Sequence, residues 1–555
     1  MKLRLFALVT ALFILLSGCG SDKSAGQVIR YDIPSGITNL DPQFATDETA
    51  RMIISNTFEG LFRQLPSGES VPALAQSYDV SPDGLVFTFH LRNDAKWTND
   101  DPVTAHDFAF ALTRLFDKTA FSPFASNLSG IQNASLILSG AAPQSSLGVK
   151  ALSDTTLEIT LTQPDSLLPE LLSASYAMPC NQEFFESTRA RYGLELKKLL
   201  ANGPFYVRTW NNEKLISLRQ NKHYVSPDPT IAAGADLYIP SKASTESKAS
   251  SSASSSSGSS SSDSSPKPAP KFDPLARFLD GTTDACKVDY PTLPSVLENG
   301  GSYTSFEDTI WVLVLNQKQE EFANSDIRKA IAYTVDRNLF GTYLPANLRP
   351  TATLIPPVVA SMGHSFRTFA GDSSPIVYSP ELAKQHYAAG LGELDVGALP
   401  FDEILVCSSN SHPLLAGFVQ RNLQQNLSLS TGLRALPKDE LLARVYAGDY
   451  QAAIIPVSAA YSSPDAIFSH FKSNSGQNFS GYKNESFDAL LASTATLDSH
   501  EQYAAYKQAE QALLADCAAI PLFYETSYYA MRKGVSDIAF SPFLSGVYFK
   551  NARKE

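Results

Sequence analysis

Apolar and polar positions along the chain change their period several times, and each period predicts an element. Residues 87–91 and 157–161 alternate apolar and polar side chains, which is typical of half-buried strands. Residues 310–315 are continuously apolar, as in a strand buried on both faces. The Ser81-Pro82-Asp83-Gly84 string predicts a type I turn just before the first of these strands.

Helical periods lie between these strands. After Thr104, which has capping-box spacing to Asp107, the apolar residues up to Leu115 fall on one face of a helix. Residues 326–333 and 500–514 predict two further helices, the second with Ser499 and Gln502 in capping-box spacing. Because strands and helices interleave at both ends of the chain, the predicted class is mixed α/β.

The first nineteen residues have the pattern of an export signal. Lys2 and Arg4 precede an apolar run over residues 5–16, and Ser17 and Gly18 lead to Cys19. The run is shorter than the roughly 20 apolar residues that cross a bilayer. The segment resembles a bacterial lipoprotein signal, which predicts removal of residues 1–18, lipidation at Cys19 and a flexible tether over 19–27. An ordinary signal peptide with a chance cysteine is the alternative.

Length and charge narrow the class of protein. A chain of 555 residues is too long for one core, so two or three domains are expected. The net charge is −12, and the absence of a basic stripe argues against nucleic acid as a partner. No other apolar run approaches spanning length, which argues against a channel.

The remaining cysteines are Cys180, Cys286, Cys407 and Cys517, and none belongs to a C-x-x-C string. A zinc site is therefore not expected. Four cysteines allow three disulfide pairings, which the sequence does not distinguish. Buried free thiols are the preferred interpretation.

A serine-rich segment over residues 241–271 interrupts the ordinary composition. Such a segment buries too little apolar surface to offset its chain entropy, so we predict that it is disordered. It could link two domains or extend a loop of one domain. The strand predicted at 237–239 and the helix predicted at 273–279 favour the loop insertion.

Catalytic signatures are absent from the sequence. It contains no H-E-x-x-H, P-loop, G-x-G-x-x-G or G-x-S-x-G string, and its eight histidines are scattered. Asp100 and Asp101 could suggest a metal site, but Asn99-Asp100-Asp101-Pro102 is better explained as a turn. These absences count against an enzyme without excluding one, because catalytic triads are recognised by geometry rather than by sequence order. We expect no enzyme activity, no cofactor and no metal.

Short strings occur in a fixed order along almost the whole chain. They include Leu40-Asp41-Pro42, Phe58-Glu59-Gly60-Leu61, Ala95-Lys96-Trp97, Asn202-Gly203-Pro204-Phe205-Tyr206, Asp326-Ile327-Arg328-Lys329-Ala330 and Ile520-Pro521-Leu522. In this order the chain resembles the family 5 extracellular solute-binding proteins, whose best-known members are the oligopeptide- and dipeptide-binding proteins of ABC importers. Ser122-Pro123-Phe124-Ala125-Ser126-Asn127-Leu128 and Leu147-Gly148-Val149-Lys150-Ala151 resemble the oligopeptide-binding branch.

The resemblance implies a three-domain, periplasmic-binding-protein-like α/β fold of the class II, cluster C type, with a hinge between two lobes. Domain I would combine residues 28–58, 179–308 and 521–555, and would contain the serine-rich insertion. Domain II would span 59–178 and domain III 309–520. Ligand would lie between domains I and III and be enclosed by hinge closure.

The resemblance also implies the residues that line the cleft. The loop after Leu40-Asp41-Pro42 would offer backbone to the ligand, and the stretch around Tyr461 would line the opposite wall. The predicted ligand-binding residues are Ala45, Thr46, Asp47, Glu48, Phe124, Val457, Ser458, Ala459, Ala460 and Tyr461.

One departure from the family pattern concerns charge. Peptide binders of this family carry an aspartate before the corresponding tyrosine, and that aspartate pairs with the ligand's terminal ammonium; here the position is Ala460. An ammonium taken out of water without a counter-charge is costly. Asp465, Asp47 or Glu48 could substitute, or the ligand could lack a free amino terminus.

The sequence therefore predicts a lipid-anchored binding protein outside the membrane, on the outer face of the cell membrane or in the periplasm. We expect a monomer that captures an oligopeptide or another small solute and delivers it to the permease subunits of an ABC importer. A sensory or surface-interaction protein of the same fold and a secreted hydrolase are the alternatives.

Overall fold

The computed structural model describes residues 27–120, 122–239, 273–361, 364–409, 412–473, 475–497, 499–543 and 546–555. The predicted signal, the predicted lipidation site Cys19, nearly all of the tether and the serine-rich insertion lie outside these residues.

Strands and helices interleave throughout the described residues, which confirms the mixed α/β class. The strands are β1 (Val28–Asp32), β2 (Phe62–Gln64), β3 (Ser70–Pro72), β4 (Ala75–Val80), β5 (Val86–Leu91), β6 (Val149–Ser153), β7 (Thr156–Thr160), β8 (Phe205–Asn211), β9 (Leu215–Gln220), β10 (Gly234–Tyr238), β11 (Ala285–Val288), β12 (Ser302–Leu315), β13 (Leu348–Pro350), β14 (Ala360–Ser361), β15 (His364–Ser365), β16 (Glu403–Cys407), β17 (Gly432–Leu436), β18 (Ala452–Ser458), β19 (Ile520–Met531), β20 (Val535–Ser536), β21 (Ala539–Phe540), β22 (Val547–Tyr548) and β23 (Arg553–Lys554).

The α-helices are α1 (Glu48–Thr57), α2 (Ala105–Arg114), α3 (Ala134–Ser139), α4 (Leu168–Leu172), α5 (Gln182–Ser187), α6 (Pro274–Leu279), α7 (Leu293–Glu298), α8 (Glu320–Ala323), α9 (Ser325–Tyr333), α10 (Arg337–Tyr343), α11 (Phe366–Ala370), α12 (Pro380–Leu394), α13 (His412–Leu427), α14 (Lys438–Ala447), α15 (Pro464–Phe468), α16 (Glu485–Ser493) and α17 (Ser499–Ala515). Short 3-10 helices lie at Ala125–Leu128, Gln144–Ser146, Ser175–Ala177, Leu196–Lys198, Tyr290–Thr292 and Thr494–Thr496. None of the helices in the described ranges is long and apolar enough to cross a membrane.

The predicted elements are confirmed at β5, β7, β12, α2, α9 and α17. The capping box at Thr104 forms as predicted, with Thr104 N–H donating to Asp107 Oδ2 at 2.8 Å. The turn predicted at 99–102 forms two residues earlier, over residues 97–100, where Asp100 has a φ of 76° and its N–H donates to the Trp97 carbonyl. No group of three or more metal-ligating side chains occurs in the described residues.

Two apolar cores divide the molecule into two lobes. The amino-terminal lobe is built around core residues between 29 and 285 and between 529 and 552, and it carries the separate four-stranded sheet β4-β5-β7-β6. The carboxyl-terminal lobe is built around core residues from 310 to 524, with Phe543. Both flanks of the serine-rich segment belong to the amino-terminal lobe, since β10 pairs with β1 and Arg277 of α6 pairs with Asp32 of β1.

One eleven-stranded sheet runs through both lobes. Its order is β17-β16-β18-β12-β19-β11-β1-β10-β9-β8, and β13 pairs with β19 outside this path. The longest strands are β12, with 14 residues, and β19, with 12, and they run antiparallel through the middle. Phe306 packs against the first core and Ile310 lies in the second, so β12 passes from one lobe to the other over residues 307–309.

Asp308 occupies a β-bulge at this crossing. Glu307 pairs with Thr526 and Thr309 pairs with Glu525, which leaves Asp308 as the extra residue. A bulge redirects a side chain and bends its strand. The Asp308 carboxylate accepts hydrogen bonds from Ser527 Oγ at 3.1 Å and Thr309 Oγ1 at 3.2 Å. Burial raises the pKa of Asp308 to about 6, and the Lys287 ammonium only partly offsets this effect.

A buried ion pair between Arg367 and Glu510 holds the loop that contains Leu354 and Ile355 in the carboxyl-terminal lobe. Glu510 of α17 accepts hydrogen bonds from the N–H groups of Leu354 at 2.9 Å and Ile355 at 3.1 Å, and its other oxygen pairs with Arg367. The Arg367 and Glu510 side chains are 6% and 1% exposed. Removal of one partner would leave a buried charge without compensation.

The four described cysteines are free and buried, which confirms the preferred interpretation. Burial raises the pKa of Cys180, Cys286 and Cys517 to about 12, so these thiols stay protonated at physiological pH.

We predict that Arg367→Met lowers the free energy of unfolding by about 3–5 kcal/mol, because the Glu510 carboxylate stays buried without its partner. Urea denaturation followed by circular dichroism measures this loss. The control is Asp537→Asn, which breaks the Asp537–Arg553 pair, whose side chains are 54% and 62% exposed. That change should cost at most about 1 kcal/mol. Equal losses in the two variants would contradict the prediction.

We also predict that Asp308→Asn changes how stability depends on pH. The pKa of Asp308 is about 6 in the folded protein and near 3.9 in the unfolded chain. The protonated carboxyl therefore contributes fully to the free energy of unfolding below about pH 4, and this contribution is lost as the pH rises to about 6. Asparagine keeps the acceptor for Ser527 and Thr309 but does not ionise. The variant should therefore gain about 2–3 kcal/mol on the wild type between pH 4 and pH 7. Urea denaturation at several pH values gives the two curves, and parallel curves would refute the prediction.

Candidate functional site

Polar side chains collect on one face of the large sheet where it passes between the lobes. Lys287 pairs in register with Tyr529, and strand alternation places Ser527 and Glu525 on the same face. Thr309 lies opposite both Glu525 and Ser458, which extends this face into β18. We call this surface the crossing face; its polar residues are Lys287, Asp308, Thr309, Ser458, Glu525 and Ser527.

Negative charge predominates on the crossing face. The Lys287 ammonium lies 5.7 Å from the centre of the Tyr529 ring. Loss of water around Lys287 would by itself lower its pKa, but Tyr529 and the carboxylates of Asp308, Glu48 and Glu525 together raise it. Three carboxylates from three elements therefore surround one ammonium.

Trp311 and His412 close the crossing face on the side of the carboxyl-terminal lobe. Trp311 Nε1 donates to Glu525 Oε2 at 2.7 Å, and the His412 ring stacks on the indole at 3.9 Å between ring centres. His412 Nδ1 lies 2.7 Å from the Ser409 carbonyl, so Nδ1 carries the proton. Burial lowers the pKa of His412, which keeps the ring neutral.

The outer edge of β18 is free beside this face. β16 pairs with β18 only from Ala452 to Ile454, so residues 455–458 have no strand partner on that side within the described residues. Pro456 has no N–H, so its pair with Trp311 is of the type without hydrogen bonds. The Thr309–Ser458 pair, two residues along, is of the same type, and its hydroxyls lie 3.0 Å apart.

It follows that Pro456 and Ser458 direct their backbone groups to the free edge. In an antiparallel ladder, residues of pairs without hydrogen bonds turn their N–H and C=O away from the partner strand. The edge therefore offers two carbonyls, from Pro456 and Ser458, and one N–H, from Ser458.

The structure separates the four predicted residues of the 45–48 loop. Ala45 is buried in the amino-terminal core. The Asp47 carboxylate caps α1 by accepting from Ala50 N–H at 2.8 Å, and the Thr46 carbonyl accepts from the Arg51 guanidinium. Glu48 is exposed and acts electrostatically on Lys287 and Tyr529, so it is the member of this loop whose charge reaches the crossing face.

The five predicted residues of the second wall, 457–461, also differ in their burial and contacts. Ser458 is exposed on the crossing face, whereas Val457 and Ala459 are buried in the core of the carboxyl-terminal lobe. The Ala460 carbonyl accepts from Gln64 Nε2 at 3.4 Å. The Tyr461 hydroxyl donates to Asp465 Oδ2 at 3.1 Å.

Phe124 and Asp465 are held by neighbours within the protein. Phe124 is half-buried and stacks on Tyr176 at 5.2 Å between ring centres. Asp465 forms an ion pair with Lys472 at 2.8 Å in addition to its bond with Tyr461. Of the three carboxylates that could substitute at Ala460, Asp47 and Asp465 thus already have partners.

The two lobes touch each other at several points. Besides the Gln64–Ala460 contact, Gln477 Nε2 of one lobe lies 3.4 Å from Asn127 Oδ1 of the other. Gly68, in the turn between β2 and β3, packs so closely on Ser462 and Phe543 that a Cβ there would lie 2.2 Å from the Phe543 ring.

Sequence reasoning missed Lys287, Asp308, Glu525 and His412. A signal for two of them exists in the pattern: Asp308 lies two residues before the apolar run of β12, and Glu525 interrupts the apolar run of β19. A charged residue is almost never fully buried unless it is paired, so a charge within such a strand marks a position with polar partners.

Comparisons with known proteins agree with this geometry. The model of the bacterial extracellular solute-binding proteins, family 5 middle, matches residues 69–479, which is more than half of the chain. The dipeptide-binding protein of Lactococcus lactis subsp. cremoris is 28% identical over 538 residues, covering 95% of this chain and 94% of that protein. A probable deoxycholate-binding periplasmic protein of Escherichia coli is 28% identical over 519 residues, covering 90% and 88%.

Solved structures extend the agreement to the fold. The substrate-binding domain of an oligopeptide ABC transporter from Bacillus anthracis has a TM-score of 0.74 at 24% identity, covering 96% of this chain and 99% of that one. The predicted periplasmic-binding-protein-like fold is thereby confirmed. The chain belongs to the bacterial extracellular solute-binding proteins of family 5.

Proposed function

We propose that this protein binds short peptides in the cleft between its lobes and delivers them chemically unchanged to an ABC importer. The observation that carries the proposal is the free edge of β18 at residues 455–458, which lies beside the polar crossing face. An extended peptide can join such an edge as an additional strand. Backbone hydrogen bonds then supply affinity that does not depend on the peptide's side chains.

The chemistry of the edge suits a peptide backbone. The carbonyls of Pro456 and Ser458 would accept from two peptide N–H groups, and the Ser458 N–H would donate to one peptide carbonyl. Each such bond contributes about 0.5–1.5 kcal/mol, so the edge alone supports modest affinity. The remaining affinity would come from the crossing face and from lobe closure, because a ligand favours the closed state through contacts that exist only there.

The alternative of a hydrolase is less well supported. Catalysis by an activated nucleophile needs a hydroxyl or thiol hydrogen-bonded to its base. Within the described residues, the only hydrogen bond of the His412 ring is to the Ser409 carbonyl. The family match and the relatives are binding proteins, and they favour binding without catalysis.

A non-peptide solute is the second candidate ligand, and Pro456 is the observation that favours it. The proline removes one of the two N–H donors that a regular strand would present at this edge. The similarity to a probable deoxycholate-binding protein points the same way.

We further propose that the domain boundaries follow the sheet. The suggested start of domain III at residue 309 directly follows the Asp308 bulge, and its end at 520 is the first residue of β19. The four-stranded sheet β4-β5-β7-β6 falls within the suggested domain II, residues 59–178.

To test the ligand class, purified protein should be subjected to mass spectrometry of co-purified molecules and to calorimetry with trialanine. We expect mixed short peptides, and we expect Ser458→Pro to weaken trialanine binding about tenfold, because it removes the one remaining edge N–H. Ser458→Ala, which keeps that N–H, should weaken binding less than about threefold. Recovery of a single non-peptide compound would overturn the peptide proposal.

We propose that lipid at Cys19 anchors the protein to the outer face of the membrane, where it works as a monomer beside the permease subunits. The support is the order of basic, apolar and small residues before Cys19. In cells fed an alkyne fatty acid, we expect labelling of the wild type and its recovery with membranes. Cys19→Ser should lose both; a labelled or membrane-bound variant would contradict the proposal.

A further inference from the structure

Two acceptor atoms face each other beneath the crossing face without a donor between them. Because His412 Nδ1 donates to Ser409, Nε2 of the neutral ring is an acceptor. His412 is 3% exposed, and its Nε2 has no hydrogen-bond partner in the described residues. It lies 4.0 Å from Glu525 Oε2, which is also an acceptor. Such an arrangement is unfavourable until a donor enters.

The Glu525 carboxylate can also accept further hydrogen bonds. Its one hydrogen bond within the described part of the chain is the bond that Oε2 accepts from Trp311 Nε1, and no donor meets Oε1. The Glu525 side chain is 24% exposed and that of His412 is 3% exposed, so Glu525 is the more accessible of the two acceptors. A group entering from the cleft therefore meets Glu525 first and Nε2 second.

The charges around this gap favour a cation. Asp308 and Glu48 lie within electrostatic range of the same Lys287 ammonium as Glu525 does, and the Lys438 ammonium acts on His412. Three carboxylates thus face two ammonium groups. A nitrogen about 2.9 Å from each acceptor spans a 4.0 Å separation easily.

We propose that Glu525, with His412 Nε2 behind it, forms a subsite for a positively charged N–H group of the bound solute. The group is an alkylammonium, supplied by a peptide's free amino terminus or by a lysine side chain. The inference rests on the proposed function in one respect, which is that the cleft is where ligand binds. Trp311 and the Ser409 carbonyl fix the positions of the two acceptors.

Four tripeptide probes measure the preference: trialanine, N-acetyl-trialanine, N-acetyl-Ala-Lys-Ala and N-acetyl-Ala-norleucine-Ala. Calorimetry should show that wild-type protein binds at least one charged probe about tenfold more tightly than its neutral counterpart. The first pair reports an amino terminus and the second pair a lysine side chain. Kd ratios within each pair cancel effects common to both members.

Glu525→Gln is the decisive variant, because glutamine keeps an oxygen acceptor for Trp311 and removes the charge. It should abolish the charge preference and change the Kd of the neutral probes less than about threefold. His412→Phe keeps an aromatic ring on Trp311 and should reduce the preference in part. Asp449→Asn makes the same change of charge beyond the far end of β18, where Asp449 is 70% exposed, and should leave the preference intact.

Each outcome decides a separate point. If peptides bind without a charge preference in the wild type, or with a preference that Glu525→Gln keeps, the subsite is refuted. Either result means that the gap holds a bridging water only, while the proposed function stands. If no peptide binds, the proposed function fails, and thermal unfolding with spermidine decides the subsite. Stabilisation by spermidine that is lost in Glu525→Gln supports the subsite, and absence of stabilisation overturns it.

Discussion

The antiparallel pairing of β12 with β19 is the constraint on which the rest of the structure depends. Both strands belong to both lobes, and their apolar halves are buried in the core of the carboxyl-terminal lobe. A shift of one residue would turn Glu525 and Ser527 into that core, so the register is strongly specified. The polar groups of the crossing face therefore collect where apolar burial ends, and the bulge at Asp308 absorbs the change.

Much of the fold follows from local pattern, and little of the site does. Apolar periodicity predicts β5, β12 and α17, because each buries a continuous face. The role of Asp47 as the cap of α1 could not be predicted in this way, because an aspartate at this position suits a helix cap and a ligand contact equally well. Asp308 and Glu525 become neighbours only through the register of strands more than 200 residues apart, which no local pattern contains.

Closure of the cleft rests on weak contacts between the lobes and strong charges within it. The hydrogen bonds that join the rims, from Gln64 to Ala460 and from Gln477 to Asn127, are neutral and 3.4 Å long. Hydrogen bonds of this kind contribute little net stability. Among the carboxylates around Lys287, Asp308 is buried, and electrostatic interactions are stronger where water is scarce. A ligand that made additional contacts in a closed form would shift the balance between open and closed forms towards it.

Pro456 has a consequence for the empty protein. Whenever the lobes part, residues 455–458 expose an unpaired strand edge, and an edge of this kind is a template for pairing with another molecule. The missing N–H interrupts the two-way ladder that a strand from a second copy would need to form. The residue that would limit how firmly a peptide is held at this edge would therefore also weaken edge-to-edge pairing between two copies of the protein.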